Sequence, residues 1–173
     1  QGLVIEKLET MEWGWKPLWN ENLKHKSFIA IQGNIEENGT MKGETSITSI
    51  DYAKLEKLPE IKKGKDKYIK EFLTDKNPDT EISDYKSENE AVDSLPLRET
   101  FKFSKNISGS GDYKYFTVNM FTGMEKNPFV ADNRFSDVFF GENQSFNIIG
   151  YFNIPEGYVF EELPKNIRMM MPD

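Results

Sequence analysis

The sequence predicts a mainly β domain, an antiparallel β-sandwich with a small helical insertion around residues 51–76. Aromatic residues make up 13% of the chain, and Phe and Tyr favour strands and bury a large area each. Several segments alternate apolar and polar residues, which is the period of a strand with one buried face. Residues 51–76 instead repeat apolar residues at helical spacing, which marks the insertion.

The clearest predicted element is a hairpin around the Asn38-Gly39 pair, where two alternating segments meet. A two-residue loop would set the apolar face of the first strand beside the polar face of the second, which the period of a strand penalises. A three-residue loop, residues 37–39, instead pairs Ile35 with Met41 and brings the two apolar faces together. Gly39 then takes the left-handed position of a type I turn with a G1 bulge. The predicted strands are Ile29–Ile35 and Met41–Ile47.

The other elements follow from the same patterns. Within the helical insertion, Pro59 and Gly64 are expected to separate two short helices, and a Lys-rich surface is expected from Lys54 to Lys70. Residues 113–121 are apolar on both faces and are predicted to form a central strand. Further strands are predicted at Leu3–Ile5, Ile82–Tyr85, Leu95–Phe103, Val138–Phe140 and Phe146–Ile154. The predicted core combines Phe101, Phe103, Phe116, Val118, Phe146, Ile148 and Phe152.

Composition argues against several classes of function. The net charge of −7 opposes binding to nucleic acid or to an anionic membrane surface, because both attract clustered Lys and Arg. Cysteine is absent, so no disulfide, thiolate zinc site or thiol nucleophile can form. No apolar run approaches the roughly 20 residues of a membrane-spanning helix, so membrane insertion is not expected.

Catalytic and metal-binding patterns in the sequence are weak. His25 is the single histidine, and the adjacent Lys24 and Lys26 would oppose its protonation, so we interpret it as a solvated loop residue. Paired carboxylates for glycoside hydrolysis need a fixed separation, which spacing along a sequence cannot supply. The segment Asp75–Asp79 resembles the opening of a calcium loop, but Pro78 and the missing Gly and Glu indicate a turn. The carboxylates considered are Glu36, Glu37, Asp132, Asp137, Glu161 and Glu162.

Three tryptophans near the N-terminus are the candidate interaction residues. Trp13, Trp15 and Trp19 surround Gly14 and Pro17, which interrupt regular structure. Exposed aromatic rings can stack on sugars, whereas a cluster near a terminus more often packs against a neighbouring domain. Both interpretations stay open, and packing is favoured.

The order of several short motifs resembles one protein family. A Gly-Leu-Val-Ile stretch at Gly2–Ile5 precedes the Trp-rich turn, a strand reaches Glu37–Gly43, and Tyr52-Ala53 opens the helical part. The chain is similar over most of its length to the β-sandwich domain of unknown function that follows the transglutaminase-like core in large secreted proteins of Bacteroidetes-type bacteria. The later motifs that carry this resemblance are Asn127-Pro128-Phe129, Arg134, Phe139-Phe140-Gly141, Ile154–Tyr158 and Glu161–Lys165.

The resemblance implies an accessory domain, not an enzyme, that packs beside a transglutaminase-like (papain-fold) domain in a periplasmic or extracellular protein. The family's catalytic Cys, His and Asp belong to that core and match no residue here, so no catalytic residue, cofactor or metal site is implied. Residues 1–26 are expected to lead from the preceding domain, residues 27–173 to form the sandwich, and its last strands to continue past Asp173. A carbohydrate- or peptide-binding module is the alternative function, and an enzyme with paired carboxylates is the third.

Overall fold

The computed structural model describes residues 2–5, 13–16, 20, 22–123, 142–163 and 165–168. These residues form a mainly β structure with a helical segment at the predicted insertion, which confirms the mainly β class, while the sandwich arrangement stays a prediction. The strands are β1 (Gly2–Ile5), β2 (Trp13–Lys16), β3 (His25–Ile35), β4 (Thr40–Asp51), β5 (Thr80–Glu88), β6 (Leu97–Asn106), β7 (Ser108–Ser110), β8 (Tyr113–Tyr115) and β9 (Gln144–Asn153). The helical segment consists of α1 (Tyr52–Lys63), α2 (Lys65–Tyr68) and a π-helical stretch (Ile69–Thr74).

Five strands form the central sheet in the order β5-β6-β4-β3-β9. Neighbours are antiparallel from β5 to β3, whereas β9 runs parallel to β3. The sheet is therefore mixed, which differs from the purely antiparallel arrangement that the sequence predicts. A hairpin can join only antiparallel strands, so β9 reaches its place through a crossover connection. Two antiparallel ribbons, β1–β2 and β7–β8, complete the strands that the structure describes.

The β3–β4 hairpin has the predicted three-residue loop. Ile35 lies opposite Met41, and Gly39 has a φ of 84°. The Glu36 amide donates to the Thr40 carbonyl oxygen at 2.8 Å, which closes the loop of residues 37–39. The register inferred from the two-residue period is therefore confirmed.

The hydrophobic core lies between one face of the central sheet and the helical segment. Ile29 and Ile47 are buried neighbours on β3 and β4, and Leu58 and Ile61 of α1 belong to the same cluster. We call this side of the sheet the covered face. Its other fully buried members include Ile31, Met41, Tyr68, Leu73, Leu97, Phe101 and Phe103.

The predicted core is confirmed in part. Phe101 and Phe103 are buried at its centre. Val118, in contrast, is 47% exposed, so its predicted burial is wrong. The remaining predicted members are half-buried, and of these Phe116, Ile148 and Phe152 pack against the core while Phe146 lies beside His25.

The predicted central strand at residues 113–121 is also wrong. β8 ends at Tyr115 and belongs to an exposed ribbon, and the chain then turns inward. Phe121, with a φ of 62°, is buried, and its ring meets those of Phe101 and Phe103 edge-on at centroid distances of 5.1 and 5.6 Å. Residues 113–121 are therefore apolar on both faces because an exposed ribbon strand is followed by a buried segment that contains Phe121.

The helical segment differs from the prediction at Pro59. Pro59 lies inside α1, and the helix continues to Lys63 before Gly64, with a φ of 145°, ends it. A proline removes one backbone hydrogen bond from a helix, but Pro59 is exposed, so water can reach the carbonyl oxygen that loses its partner. Gly64 alone therefore separates the two helices.

Candidate interaction surface

The central sheet has a covered face and an open face. Side chains of a strand point alternately to the two faces, and the covered face takes Ile29, Ile47 and Phe101. Residues of opposite parity, such as Gln32 and Lys102, point the other way and are exposed. Among the described residues, the open face is therefore the sheet surface that a partner could reach.

Polar side chains of the open face form two rows that cross all five strands. Within each row, the residues are direct neighbours in the strand register. Adjacent strands are about 4.8 Å apart, and the two rows are separated by two residues along a strand, about 6.6 Å. A partner lying across the sheet would meet polar groups at successive strands. The first row contains Glu81, Ser104, Lys42, Asn34 and Asn153, and the second contains Ser83, Lys102, Glu44, Gln32 and Tyr151.

A shallow groove of about 500 Å³ lies along these rows and is open to solvent. It extends from β5 across β6 and β4 to β3. Sites for small ligands typically occupy about 300–1,000 Å³, so the groove is large enough for a short ligand. Its polar lining includes Gln32, Asn34, Lys42, Glu44, Glu81 and Lys102.

Ion pairs at the rim hold the two lysines of the groove. Lys102 Nζ lies 2.7 Å from Asp84 Oδ2, and Lys42 Nζ lies 2.9 Å from Glu36 Oε1. The hydrogen bond from Lys102 lowers the pKa of the Asp84 carboxyl, and the one from Lys42 lowers the pKa of Glu36. Both pairs are exposed, and exposed ion pairs are weak. A ligand could therefore displace the carboxylates and take over the lysine donors.

The open face also carries exposed apolar side chains on and beside β9. Tyr151 is 70% exposed, and Phe28 and Ile149 are 39% and 38% exposed. Tyr151 is the register neighbour of Gln32, which lines the groove. Its ring is therefore an accessible aromatic surface beside the groove.

A second exposed apolar surface follows β9. We call residues 158–167 the apolar tail. Val159, Leu163 and Ile167 are 84%, 65% and 77% exposed, and the described residues of the tail form neither strand nor helix. Among the described residues, these side chains are not members of the core. Several exposed apolar side chains within one short segment are typical of a contact site.

A buried polar cluster centres on Glu99 of β6, which is fully buried. The hydroxyls of Tyr68 and Tyr85 donate to Glu99 Oε1 at 2.8 and 3.0 Å. Lys57 Nζ lies 2.7 Å from the other carboxylate oxygen. Burial, and then the charge of Glu99, raise the pKa of both phenols, which therefore stay neutral donors. The cluster joins the helical segment to the sheet and leaves no free reactive group. No motif in the sequence points to it, although Glu99 has the same strand parity as the buried Phe101.

Lys54 is buried, which corrects the expectation of an exposed lysine surface that begins there. Its Nζ donates to the carbonyl oxygens of Asn89, Val92 and Leu95 at 3.1, 2.6 and 2.8 Å. An ammonium group has three donors, and all three acceptors lie in the loop between β5 and β6. Lys54 therefore fastens this loop to α1.

The catalytic candidates do not converge among the described residues. His25 begins β3, and its Nε2 lies 3.3 Å from Glu56 Oε2 while its ring lies 5.5 Å from that of Phe146. The interpretation of His25 as a solvated loop residue is therefore wrong, because the start of β3 lies against α1. Of the other carboxylates, Glu37, Glu161 and Glu162 are exposed, and Asp132 and Asp137 lie outside the described residues.

The segment Asp75–Asp79 forms a turn, as predicted. Asn77 is buried in it, donates from Nδ2 to the Leu73 carbonyl oxygen at 2.8 Å, and accepts at Oδ1 from the Phe121 amide at 3.1 Å. This side chain ties the turn to the core. In the parts of the chain that the structure describes, no three His, Asp or Glu residues gather closely enough to hold a metal ion.

Two of the three candidate tryptophans lie on the N-terminal ribbon. Across β1–β2, Trp13 is the register partner of Ile5, and Trp15 that of Leu3. The predicted strand at Leu3–Ile5 thus gains a partner where the sequence indicated a break. Trp19 lies outside the described residues, and the interaction role of the three residues stays a prediction.

Comparisons with protein-family models, curated proteins and solved structures find no match for this chain. No helix in the described part of the chain combines the length and apolar character that crossing a membrane requires. What the protein binds therefore has to be inferred from the open face, the groove and the apolar tail themselves.

Proposed function

We propose that this chain is a non-catalytic accessory domain that packs beside a transglutaminase-like (papain-fold) domain of a larger secreted bacterial protein. The exposure of the apolar tail is the observation that carries the proposal. In this role the chain works in the periplasm or outside the cell, where it stabilises and helps to shape the neighbouring domain.

The apolar tail has the character of a domain contact. Val159, Leu163 and Ile167 are each more than half exposed, at 84%, 65% and 77%. Burying apolar surface contributes roughly 25 cal/mol per Å², and an interface between domains of one chain is where such residues become buried. A neighbouring domain that covered the tail would bury this surface and so increase the free energy of unfolding of the parent protein.

The tail also overlaps the motifs that carry the family resemblance. Ile154–Tyr158 leads into it and Glu161–Lys165 lies within it. The apolar side chains of these motifs past Pro155 are exposed, as for Tyr158 and Leu163 at 38% and 65%. Residues that a domain does not need for its own core are expected to serve a contact in the parent protein.

The chemistry of the sequence favours a supporting role. A transglutaminase-like reaction needs a thiolate poised by an imidazole, because a neutral thiol attacks an amide poorly. The chain contains no cysteine, and its histidine is turned toward Glu56 at 3.3 Å. Catalysis in the parent protein is therefore assigned to the neighbouring domain.

The test compares the full-length parent protein with a tail variant that carries Val159→Ser, Leu163→Ser and Ile167→Ser. We expect the unfolding temperature to fall by about 4 °C or more, the shift of about 1 kcal/mol in a small domain. The matched control replaces three exposed apolar residues elsewhere, Leu55, Val118 and Tyr113, by Ser. A second variant, with Trp15→Ala and Trp19→Ala, should lower the stability in the same direction.

Two outcomes would contradict the proposal. The parent gene could lack a transglutaminase-like domain before Gln1, or the tail variant could unfold at the same temperature as the control. Turnover of a peptide or isopeptide substrate by this chain alone, free of contaminating protease, would contradict its non-catalytic part.

A further inference from the structure

The groove on the open face contains charges of both signs. Its lining holds two lysines, which pair with Glu36 and Asp84 at the rim, two glutamates and two uncharged amides. The carboxylates would repel a polyanion and the lysines oppose a polycation, so the lining favours a ligand without net charge. The charged residues are Lys42, Lys102, Glu44 and Glu81, and the amides are Gln32 and Asn34.

The groove can donate and accept hydrogen bonds at neighbouring positions. The Gln32 and Asn34 amides each contain an acceptor oxygen and a donor nitrogen. Asn153 Nδ2 donates to Asn34 Oδ1 at 2.7 Å, which extends the first row onto β9. A hydroxyl group also donates and accepts, so a ligand that carries hydroxyls on both of its edges could bind both rows.

Tyr151 adds an aromatic surface beside these polar groups. It is 70% exposed and is the register neighbour of Gln32. A sugar ring has an apolar face of C–H groups and a polar rim, so it can cover the tyrosine ring while its hydroxyls reach the amides. This pairing of one aromatic ring with adjacent amides fits a saccharide better than a purely apolar ligand.

The position of the groove argues against a peptide. Extended peptides bind preferentially at the edge of a sheet, where unpaired backbone groups form new hydrogen bonds. The groove starts at the edge strand β5 but runs across β6, β4 and β3, which have strand partners on both sides, so most of its length offers no unpaired backbone. Its binding groups are therefore side chains.

We propose that the groove binds a neutral oligosaccharide laid across the strands, with Tyr151 stacked on one ring and the groove side chains bound to the hydroxyls of the next. The four strands that line it span about 14 Å, or three strand spacings, which is enough for a few sugar rings. The proposed site uses neither Trp13, Trp15 and Trp19 nor the apolar tail. It therefore stands independently of the proposed accessory role.

The test is isothermal titration of the full chain with four neutral hexasaccharides, namely cellohexaose, xylohexaose, maltohexaose and chitohexaose. Hexagalacturonate and an uncharged peptide of similar length serve as competitors of other classes. We expect at least one neutral hexasaccharide to bind with a Kd of roughly 10 μM to 1 mM. The acidic sugar and the peptide should bind at least about tenfold more weakly.

Variants then place the binding in the groove. Tyr151→Ala should weaken the affinity about fivefold to tenfold and Gln32→Ala about fivefold, because each removes one contact of ordinary strength. Tyr113→Ala, on the β7–β8 ribbon at 52% exposure, and Leu163→Ser in the tail are the controls and should leave it unchanged. Circular dichroism confirms that each variant is folded, which is expected at exposed positions.

Three results would overturn the proposal. The first is the absence of binding by every neutral hexasaccharide at millimolar concentration. The second is an affinity that neither Tyr151→Ala nor Gln32→Ala reduces. The third is tighter binding of the acidic sugar or the peptide, which would assign the groove to that class instead.

Discussion

Glu99 on β6 and Tyr68 on α2 meet inside the core, where the tyrosine hydroxyl donates to the carboxylate at 2.8 Å. The two residues are 0% and 1% exposed. A buried carboxylate is tolerated when its oxygens are hydrogen-bonded and its charge is paired, and Lys57 supplies the charge at 2.7 Å. The position of the helical segment is thus set by polar geometry as well as by apolar packing.

Replacing Glu99 by Ala should reduce the free energy of unfolding by about 3–5 kcal/mol, because the tyrosines and the lysine lose their acceptor. Urea denaturation followed by circular dichroism measures the change. Glu99→Gln is the matched control and should cost less, since it keeps one oxygen as an acceptor. A loss below about 1 kcal/mol for Glu99→Ala would show that the cluster is not a structural link.

The stability should fall at alkaline pH because of the same cluster. Folding raises the pKa of Tyr68 and Tyr85 above the value of about 10 in an unfolded chain. The folded state then holds protons that the unfolded state loses, so this contribution is complete below about pH 10 and decreases as the pH rises further. Each tyrosine adds a slope of up to about 1.4 kcal/mol per pH unit.

Urea denaturation between about pH 9 and pH 11 checks this slope. The variant with Tyr68→Phe and Tyr85→Phe should lose stability less steeply than the parent chain over that range. Parallel pH profiles for the two proteins would exclude the tyrosines as the cause.

Gly39→Val should destabilise the chain by more than about 1 kcal/mol, because a β-branched residue is strained at a left-handed position. Gly39 has a φ of 84°. Gly39→Asn is the control, since Asn tolerates this conformation, and it should recover most of the loss. Thermal unfolding of the parent chain and the two variants measures the loss of stability. An equal loss for Gly39→Val and Gly39→Asn would show that strain at the left-handed position is not its cause.

Phe101→Ala should cost about 3–5 kcal/mol, the range for a fully buried phenylalanine whose site cannot collapse. Phe101 is 1% exposed. Phe116→Ala should cost clearly less, because Phe116 is half-buried and its ring packs on Phe152 at a centroid distance of 5.0 Å. Chemical denaturation measures the free energy of unfolding of both variants. An equal or larger loss for Phe116→Ala would contradict a core centred on Phe101.

Lys54→Met should destabilise the chain by about 1–3 kcal/mol, since three carbonyl oxygens lose the ammonium group that donates to them. Lys62→Met, at an exposed position of the same helix, should change the stability by no more than about 0.5 kcal/mol. Amide hydrogen exchange should also become faster in residues 89–95. An unchanged exchange rate there would mean that Lys54 does not hold the loop.

Sequence reasoning succeeds where the deciding interactions are local. The loop of the first hairpin follows from parity, because a shift of one residue would put Ile35 opposite a lysine. The same parity would also have placed Glu99 beside Phe101 on the covered face. An isolated buried charge is so costly, however, that its burial becomes reasonable only once its partners Tyr68 and Lys57 are known.

The remaining features depend on contacts between distant parts of the chain. The apolar residues before Phe121 fit either a central strand or an exposed ribbon strand followed by a buried segment. Periodicity alone cannot distinguish these two structures. The rows of the open face need the register of all five strands, including the parallel alignment of Gln32 with Tyr151. The groove could therefore not be predicted from any single segment.

The parallel pairing of β3 with β9 has a consequence for the nascent chain during translation. β3, β4, β5 and β6 hydrogen-bond to one another without β9, which begins only at Gln144. Translation at about 5–20 residues per second leaves an interval of seconds in which β3 is a bare sheet edge. Unpaired edges recruit strands from other chains. Aggregation during synthesis is thus most probable just before β9 emerges from the ribosome, and pausing in that interval would increase it.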